Sequence, residues 1–312
     1  MNTDSFVSIN LNDIIVGEDL PCSVYLYIDF RFITFRGQGD SVDRNAFDRL
    51  QFKKVKSLFI QEADRGKFET WITQRVKEDA AVDSTPQPKA FAEAREDAYR
   101  KAMDIFQSEH PDKMVKAALS TSKTLVKELM AYPYAIKSLG QLQTYSRGTV
   151  DHSVNVSILA TYLAMQIGYT HKLILQHVGV GGLLHDIGKT QIPIEETDTA
   201  EVIESKMRAH PEVGGQLLDN QTGVPKEVKM IVLQHHEYFD GTGYPHALRG
   251  NSIYDLARIV TIANEFDEMV SAGKGTLAER QRNAVRIMDQ EKFKKFDPQK
   301  LNKCIKILKL GV

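Results

Sequence analysis

Cysteine is scarce. Cys22 and Cys304 are the two thiols in 312 residues, near opposite ends of the chain and without metal or disulfide spacing. That argues against a disulfide framework or a thiolate metal centre and points to a reduced, cytoplasmic compartment. Neither sign of charge dominates: 40 Lys and Arg stand against 41 Asp and Glu, net −1, with a pI near 6.8. The chain therefore lacks the electrostatic footprint of a nucleic-acid or anionic-membrane binder. A local positive site for a small anion remains open. No window approaches 18 uninterrupted apolar residues, so no membrane span is expected. The opening Met-Asn-Thr-Asp-Ser-Phe has neither the basic nor the apolar region of a secretory signal. There is no internal repeat and no low-complexity tract.

What remains is an ordinary globular composition, 26% charged and 42% hydrophobic, long enough for two domains or one large one. Residues 5–36 read as strands. Phe6, Ile9, Leu11 and Ile14-Ile15-Val16 precede a turn at Gly17, and Cys22–Ile28 and Phe30–Phe35 run in β fashion. Asp43–Leu50 has helical spacing, Val55–Ile60 reads as a further strand, and Asp64 to about Lys77 as a helix with Phe68, Trp71, Ile72 and Val76 inside. These elements make a small N-terminal α/β module over 1–78, a sensory or docking unit with none of the candidate ligands. Residues 79–90, with two prolines and no apolar period, are a linker.

Beyond it strand signals nearly vanish, and 91–312 reads as an all-α bundle. The overall class is α+β. Helices are expected at about 90–109, 112–131, 133–145, 150–168, 171–185, 203–219, 225–236, 253–271, 276–291 and 298–309. Pro111, Pro133, Pro225 and Pro298 sit near helix starts, where a missing amide hydrogen does little harm.

The chemistry gathers around His185-Asp186-Ile-Gly188-Lys189, after the apolar run Val178-Gly-Val-Gly-Gly-Leu-Leu. An imidazole holds one metal ion, whereas a carboxylate with two oxygens can bridge two. Asp186 and Lys189 share a face at i, i+3, with Gly188 permitting a turn. Further histidines stand at His152, His210, His235 and His236. Singly, His152 and His210 would pass as core histidines bonded to carbonyls. Adjacent helical residues diverge by about 100°, so His235 and His236, at a helix end beside two ions, would each address a different one. Five buried imidazoles from separate segments would cost roughly 1–3 kcal/mol for each left unsatisfied, and a shared metal pair removes that cost. His171 and His177 read as surface or supporting residues, His246 as a loop residue and His110 as solvated.

These motifs resemble the HD-GYP branch of the HD phosphohydrolases. His185-Asp186-Ile-Gly-Lys189 with Ile192-Pro193, and His235-His236-Glu237-Tyr-Phe-Asp240-Gly241-Thr-Gly243-Tyr244-Pro245, carry the likeness. His210-Pro-Glu-Val-Gly and His152-Ser-Val-Asn-Val complete it, in order, over about residues 140–270. The resemblance implies a phosphodiesterase of cyclic di-GMP or a related nucleotide, working through a hydroxide that bridges two metal ions. By position, His152, His185, Asp186, His210, His235, His236 and Asn264 would be ligands, with Asp186 as the bridge. Lys189 would face the substrate phosphate, and the Gly-Tyr-Pro loop with Tyr244 would border the pocket and meet diguanylate cyclase domains. Imidazoles with a carboxylate and no thiolate suit iron first, manganese next and zinc less well.

Three positions depart from the family. Gly148 stands where members with three ions carry a glutamate, which favours a binuclear site. Ala263-Asn264-Glu265-Phe266-Asp267-Glu268-Met269 replaces Ala-Asp-Val-Tyr-Asp-Ala-Leu, so the last ligand is an amide oxygen from Asn264 unless Asp267 substitutes. Ala272-Gly-Lys274-Gly-Thr276 replaces the nucleotide-gripping Arg-Pro-Tyr-Arg run. The competing class is therefore a nucleotide-sensing or protein-docking module that keeps the metal site with little or no turnover. An HD-type hydrolase of another phosphate ester is the third.

Overall fold

The computed structural model describes residues 6–43, 46, 47, 49, 50, 53, 55–81, 89–108, 111–131, 148–195 and 197–311. The expected helix at 133–145 and His110 lie outside them.

Four strands open the chain: β1 (Phe6–Asn10), β2 (Val24–Ile28), β3 (Arg31–Arg36) and β4 (Ser57–Gln61). They form an antiparallel sheet in the order β1-β4-β2-β3, with Phe6 opposite Gln61, Ile28 opposite Arg31 and Tyr25 opposite Phe59. The β2–β3 connection is Asp29-Phe30, both at positive φ, which matches the twist of a two-residue hairpin. Ile14-Ile15-Val16 is not strand. After a 3₁₀ turn at Leu11–Asp13 it plugs the module core as buried, irregular chain, and Gly17 turns it at φ +81°. Helix α1 (Arg65–Ala81) covers this core with Phe68, and Trp71 and Ile72 pack at its margin.

Part of the expected linker is helical: 79–81 continue α1, and 89–90 open α2 (Lys89–Gln107). Then come α3 (Pro111–Ala131), α4 (Thr149–Gln166), α5 (Lys172–Leu184), α6 (Ala200–Met207), α7 (His210–Asp219) and α8 (Lys226–Gln234). The bundle ends with α9 (Asp255–Ala272), α10 (Leu277–Gln290) and α11 (Pro298–Gly311). The single helix expected over 203–219 is two, broken at Arg208-Ala209. Pro211 in the first turn of α7 has no amide hydrogen to continue the α6 ladder.

The core of the bundle is separate from that of the sheet. Its axis is α4, buried from Thr149 to Ala164 apart from Asp151, with α5 and α9 against it. The glycines of α5 make room for that approach. A Cβ at Gly182 would stand 2.8 Å from the Ser157 Cα, and one at Gly181 2.6 Å from Ile231. Buried glycine thus sets the depth at which α5 presents its C-terminal end.

A buried charged contact joins sheet module and bundle. Arg280 of α10 is fully buried, its Nε donating to the Gly275 carbonyl and its guanidinium 3.1 Å from the Glu18 carboxylate. Breaking a buried pair leaves an uncompensated charge, which costs roughly 3–5 kcal/mol. Glu18→Ala is expected to lower the unfolding free energy by about that amount in denaturant titrations, whereas Asp19→Ala, whose Lys274 partner is exposed at 3.5 Å, should change it by less than about 1 kcal/mol.

Candidate metal centre

Three histidines are held in one way. His185 follows the last turn of α5, and its Nδ1 donates to the Gly182 carbonyl at 2.7 Å. His210 opens α7 and donates from Nδ1 to the carbonyl of Met207, the last residue of α6, at 2.6 Å. His235 caps α8 and donates from Nδ1 to Val232 at 2.7 Å. A carbonyl only accepts, so each Nδ1 carries the proton and each Nε2 keeps its lone pair. His152, inside α4, reaches the same state through a carboxylate: Nδ1 donates to Asp267 Oδ2 at 2.6 Å, and Asp267 Oδ1 accepts from Asn155 Nδ2 at 3.0 Å.

Those lone pairs converge. Nε2 of His152 and His185 are 3.1 Å apart, and Nε2 of His210 and His235 are 3.0 Å apart. Asn264 Oδ1 lies 2.8 Å from His152 Nε2. Acceptors facing one another this closely are unfavourable without a positive charge to share. Burial works against a proton in that place at His185, His235 and His236. Burial holds the His185 imidazolium down to a pKa of about 3, and pushes His235 and His236 well below their ordinary value, helped by the neighbouring imidazoles.

Asp186 sits between the pairs. Its Oδ1 is 3.1 Å from His210 Nε2 and 3.8 Å from His235 Nε2. Its Oδ2 is 3.4 Å from His185 Nε2, 3.8 Å from His152 Nε2 and 2.7 Å from Lys189 Nζ. Burial alone would raise its pKa, but His185, Lys189 and His210 outweigh that and keep the carboxyl well below its usual range. Oδ1 is buried without a well-directed hydrogen bond. Two groups able to hold an ion result, Asp186-His210-His235-His236 and His152-His185-Asp186, with Asp186 in both. An orphaned carboxylate oxygen and inward-facing imidazole nitrogens are groups that a divalent cation would coordinate.

The placement corrects three expectations. His235 and His236 fall in one group, not one each, because α8 ends at Gln234 and the chain turns there, bringing the rings to 4.3 Å. Asp267 is no substitute ligand: both its oxygens are engaged behind His152, and Asn264 presents its oxygen instead. Gly188 is needed for space, not for a turn. Its φ is not positive, but a Cβ there would stand 2.0 Å from the His210 carbonyl oxygen, where the 3₁₀ turn Ile187–Gln191 packs on α7. His171, His177 and His246 lie outside both groups. His177 is buried on α5, 3.9 Å from Glu227.

At the rim, Tyr244 stacks on His236 with centroids 4.6 Å apart, and the Arg208 guanidinium lies 5.2 Å from the Tyr244 ring centroid. Glu237, fully buried, accepts from the His246 and Leu248 amides at 2.7 and 2.8 Å and so clamps the loop that carries Tyr244. Lys274 is directed at Asp19 of the sheet module. Sequence reasoning missed the roles of Glu237, Arg208, Asn155 and Asp267. Asn155 is legible afterwards, one turn from His152 on the same face of α4.

Residues 113–299 match the HD domain family model. The chain belongs to the HD domain family. Its ordered motifs and its relatives place it in the HD-GYP branch. It is 33% identical over 182 residues to the cyclic di-GMP phosphodiesterase PA4108 of Pseudomonas aeruginosa, covering 57% of this chain and 44% of that protein. It is 31% identical over 169 residues to the cyclic di-GMP phosphodiesterase response regulator RpfG of Xanthomonas campestris pv. campestris, covering 53% and 43%. The chain thus spans less than half the length of these curated relatives. In fold it is similar to Bd1817, an HDG"Y"P protein from Bdellovibrio bacteriovorus, with a TM-score of 0.58 at 23% identity over 97% of this chain and 99% of that one. Among the described residues, no helix is long and apolar enough to cross a membrane.

Free imidazole titrates near 6.5 and folded His185 near 3, so as pH falls protons bind the unfolded chain first. Metal-free HD protein should therefore lose stability progressively from about pH 6.5 towards 3. Denaturant midpoints that stay flat over that window would count against a neutral imidazole cluster. Gly188→Ala should cost about 1–3 kcal/mol by overpacking, read as a fall in melting temperature, with loss of bound metal because Asp186 and His210 flank the clash.

Proposed function

We propose that this chain is a metal-dependent phosphodiesterase of cyclic di-GMP or a closely related cyclic dinucleotide. The observation that carries it is the set of inward-facing Nε2 atoms around Asp186, each fixed by a hydrogen bond on its other nitrogen. His152, His185 and Asp186 would hold one divalent ion, with the Asn264 amide oxygen, and Asp186, His210, His235 and His236 the second. The nitrogen-rich, thiolate-free set favours iron, then manganese, then zinc. Two such ions would polarise a phosphodiester and lower the pKa of a water.

The chain's own residues do the rest. Lys189 places an ammonium 2.7 Å from Asp186 Oδ2, where it offsets negative charge on a phosphoryl group. Tyr244, with its hydroxyl pKa raised by burial and by Glu268, borders the pocket as a neutral, ordered wall. The buried Glu237 clamp keeps that wall in place. Support for the substrate class comes from the two curated relatives, both named as cyclic di-GMP phosphodiesterases. The module over 1–78 serves as a regulatory or docking unit, and the exposed edge of the Gly-Tyr-Pro loop at His246 and Ala247 as a contact for diguanylate cyclase domains. Two buried thiols, pushed up to about 11 and about 12 by burial, suit a reducing cytoplasm.

A second reading is favoured by the rim. Lys274, the cation nearest the missing Arg-Pro-Tyr-Arg run, is paired with Asp19, so the nucleotide grip is thin. In that reading the protein binds the nucleotide and does not turn it over.

One experiment separates the two. Anaerobically purified protein is assayed for metal content and for cyclic di-GMP breakdown by chromatography. Wild type should hold two ions and release products, Asp186→Ala should fall below detection, and Lys189→Ala should lose about 10²–10³-fold in kcat. Tight nucleotide binding by metal-loaded wild type without products would establish the sensor instead.

A further inference from the structure

Asn264 stands where the family has an aspartate, and its amide has a fixed orientation. The side chain is fully buried on α9. Nδ2 donates to Glu268 Oε1 at 3.2 Å, one helical turn on. The amide nitrogen is thus on the Glu268 side and the oxygen on the side of His152 Nε2, 2.8 Å away. His152 Nδ1 donates to Asp267, which in the neutral ring leaves Nε2 as an acceptor. The oxygen and the imidazole nitrogen both face the same point with lone pairs, which is how two ligands of one ion are arranged.

Glu268 is half-buried, and Asn264 is its hydrogen-bond partner among the described residues. Its neighbour Glu265 is engaged elsewhere, accepting from the Tyr238 hydroxyl and from Lys292 Nζ. Burial and the neighbouring Glu265 raise the Glu268 carboxyl above its ordinary pKa, and a divalent ion beside His152 would favour its charged form and let it act through Asn264. A hydrogen bond to a carboxylate draws the N–H bond and enriches the carbonyl oxygen of the same amide.

We infer that Glu268 is a positioning residue which locks and polarises the Asn264 amide, so that Asn264 and Glu268 together replace the missing aspartate as ligand to the ion at His152, His185 and Asp186. The amide supplies the oxygen and Glu268 the charge, displaced by one hydrogen bond. This rests on the metal reading above and goes beyond it in naming a residue outside the motif's ligand positions.

The test is a double-mutant cycle read as metal retention rather than turnover. Wild type, Glu268→Gln, Asn264→Asp and Asn264→Asp/Glu268→Gln are purified anaerobically, with ions per chain measured by plasma mass spectrometry and retention measured against a chelator series. Glu268→Gln frees the amide to flip and removes the charge, so one of the two ions should be lost about 10–100-fold more readily, the usual effect of removing an outer-shell partner. The double variant restores a carboxylate at 264 and should retain both ions as wild type does. That rescue also separates the effect from misfolding, since glutamine still occupies 268. Equal retention by Glu268→Gln and wild type overturns the inference, as does a double variant as leaky as Glu268→Gln. Wild-type protein that binds no divalent ion would overturn the metal reading itself, a result distinct from either.

Discussion

The molecule depends on a bond that points away from its site. At His185, His210 and His235, imidazole Nδ1 donates to a carbonyl three residues back, at the C-terminal end of α5, α6 or α8. Carbonyls in a last helical turn lack intrahelical donors, and each of these histidines satisfies one. The same bond fixes the tautomer, so Nε2 faces inward as an acceptor. Three helix ends are thereby directed at one point, and the negative ends of their dipoles favour positive charge there. Backbone and side chain make the same demand: a cation in the middle.

That demand explains the depth of the cluster. Neutral imidazoles at 3.0–3.1 Å would be poor core residues, because nothing between them donates. Burial works against protonation at His185, which it holds near a pKa of 3. Asp186 brings one negative charge, already shared with Lys189. The packing that enforces this is specific: Gly182 lets α5 lie close on α4, and Gly188 lets the 3₁₀ turn lie against α7 with no room for a methyl group. Small residues thus set the positions of large, polar ones.

Much of this was legible in the chain. The strands followed by helices, most helix spans, and the convergence of His152, His185, Asp186, His210, His235 and His236 follow from residue spacing and motif resemblance. What was not legible depended on orientation. Sequence spacing does not say on which side of His152 the Asp267 carboxylate lies, and only the buried contact to Nδ1 makes it a support rather than a ligand. Nor does it say that the chain leaves the helical path after Gln234, which puts both His235 and His236 in one group. The apolar run Ile14-Ile15-Val16 has a strand's composition, but its backbone partners lie elsewhere, with Gly17 bonding to Val42. Tertiary context chose a plug over a strand.

The differences from the family pattern lie on the substrate side of the cluster, and they are of two kinds. At Asn264 the change is inside the buried cluster, and Glu268 one turn away is bonded to the altered side chain. At 272–276 it is outside that cluster, where Lys274 turns to Asp19 of the sheet module and no arginine run takes its place. The first kind would preserve what an ion needs, if the proposed coupling of Glu268 to the amide holds, because charge acting through a buried group is little screened. The second alters what a nucleotide needs, because an exposed cation already paired contributes little to a phosphate. Arg208 and Tyr244, held at the rim by the Glu237-clamped loop, are what the chain offers there instead. Placing the candidate ligands is thus a property of the interior, set by helix ends and glycine packing, whereas the mouth is formed by a few side chains.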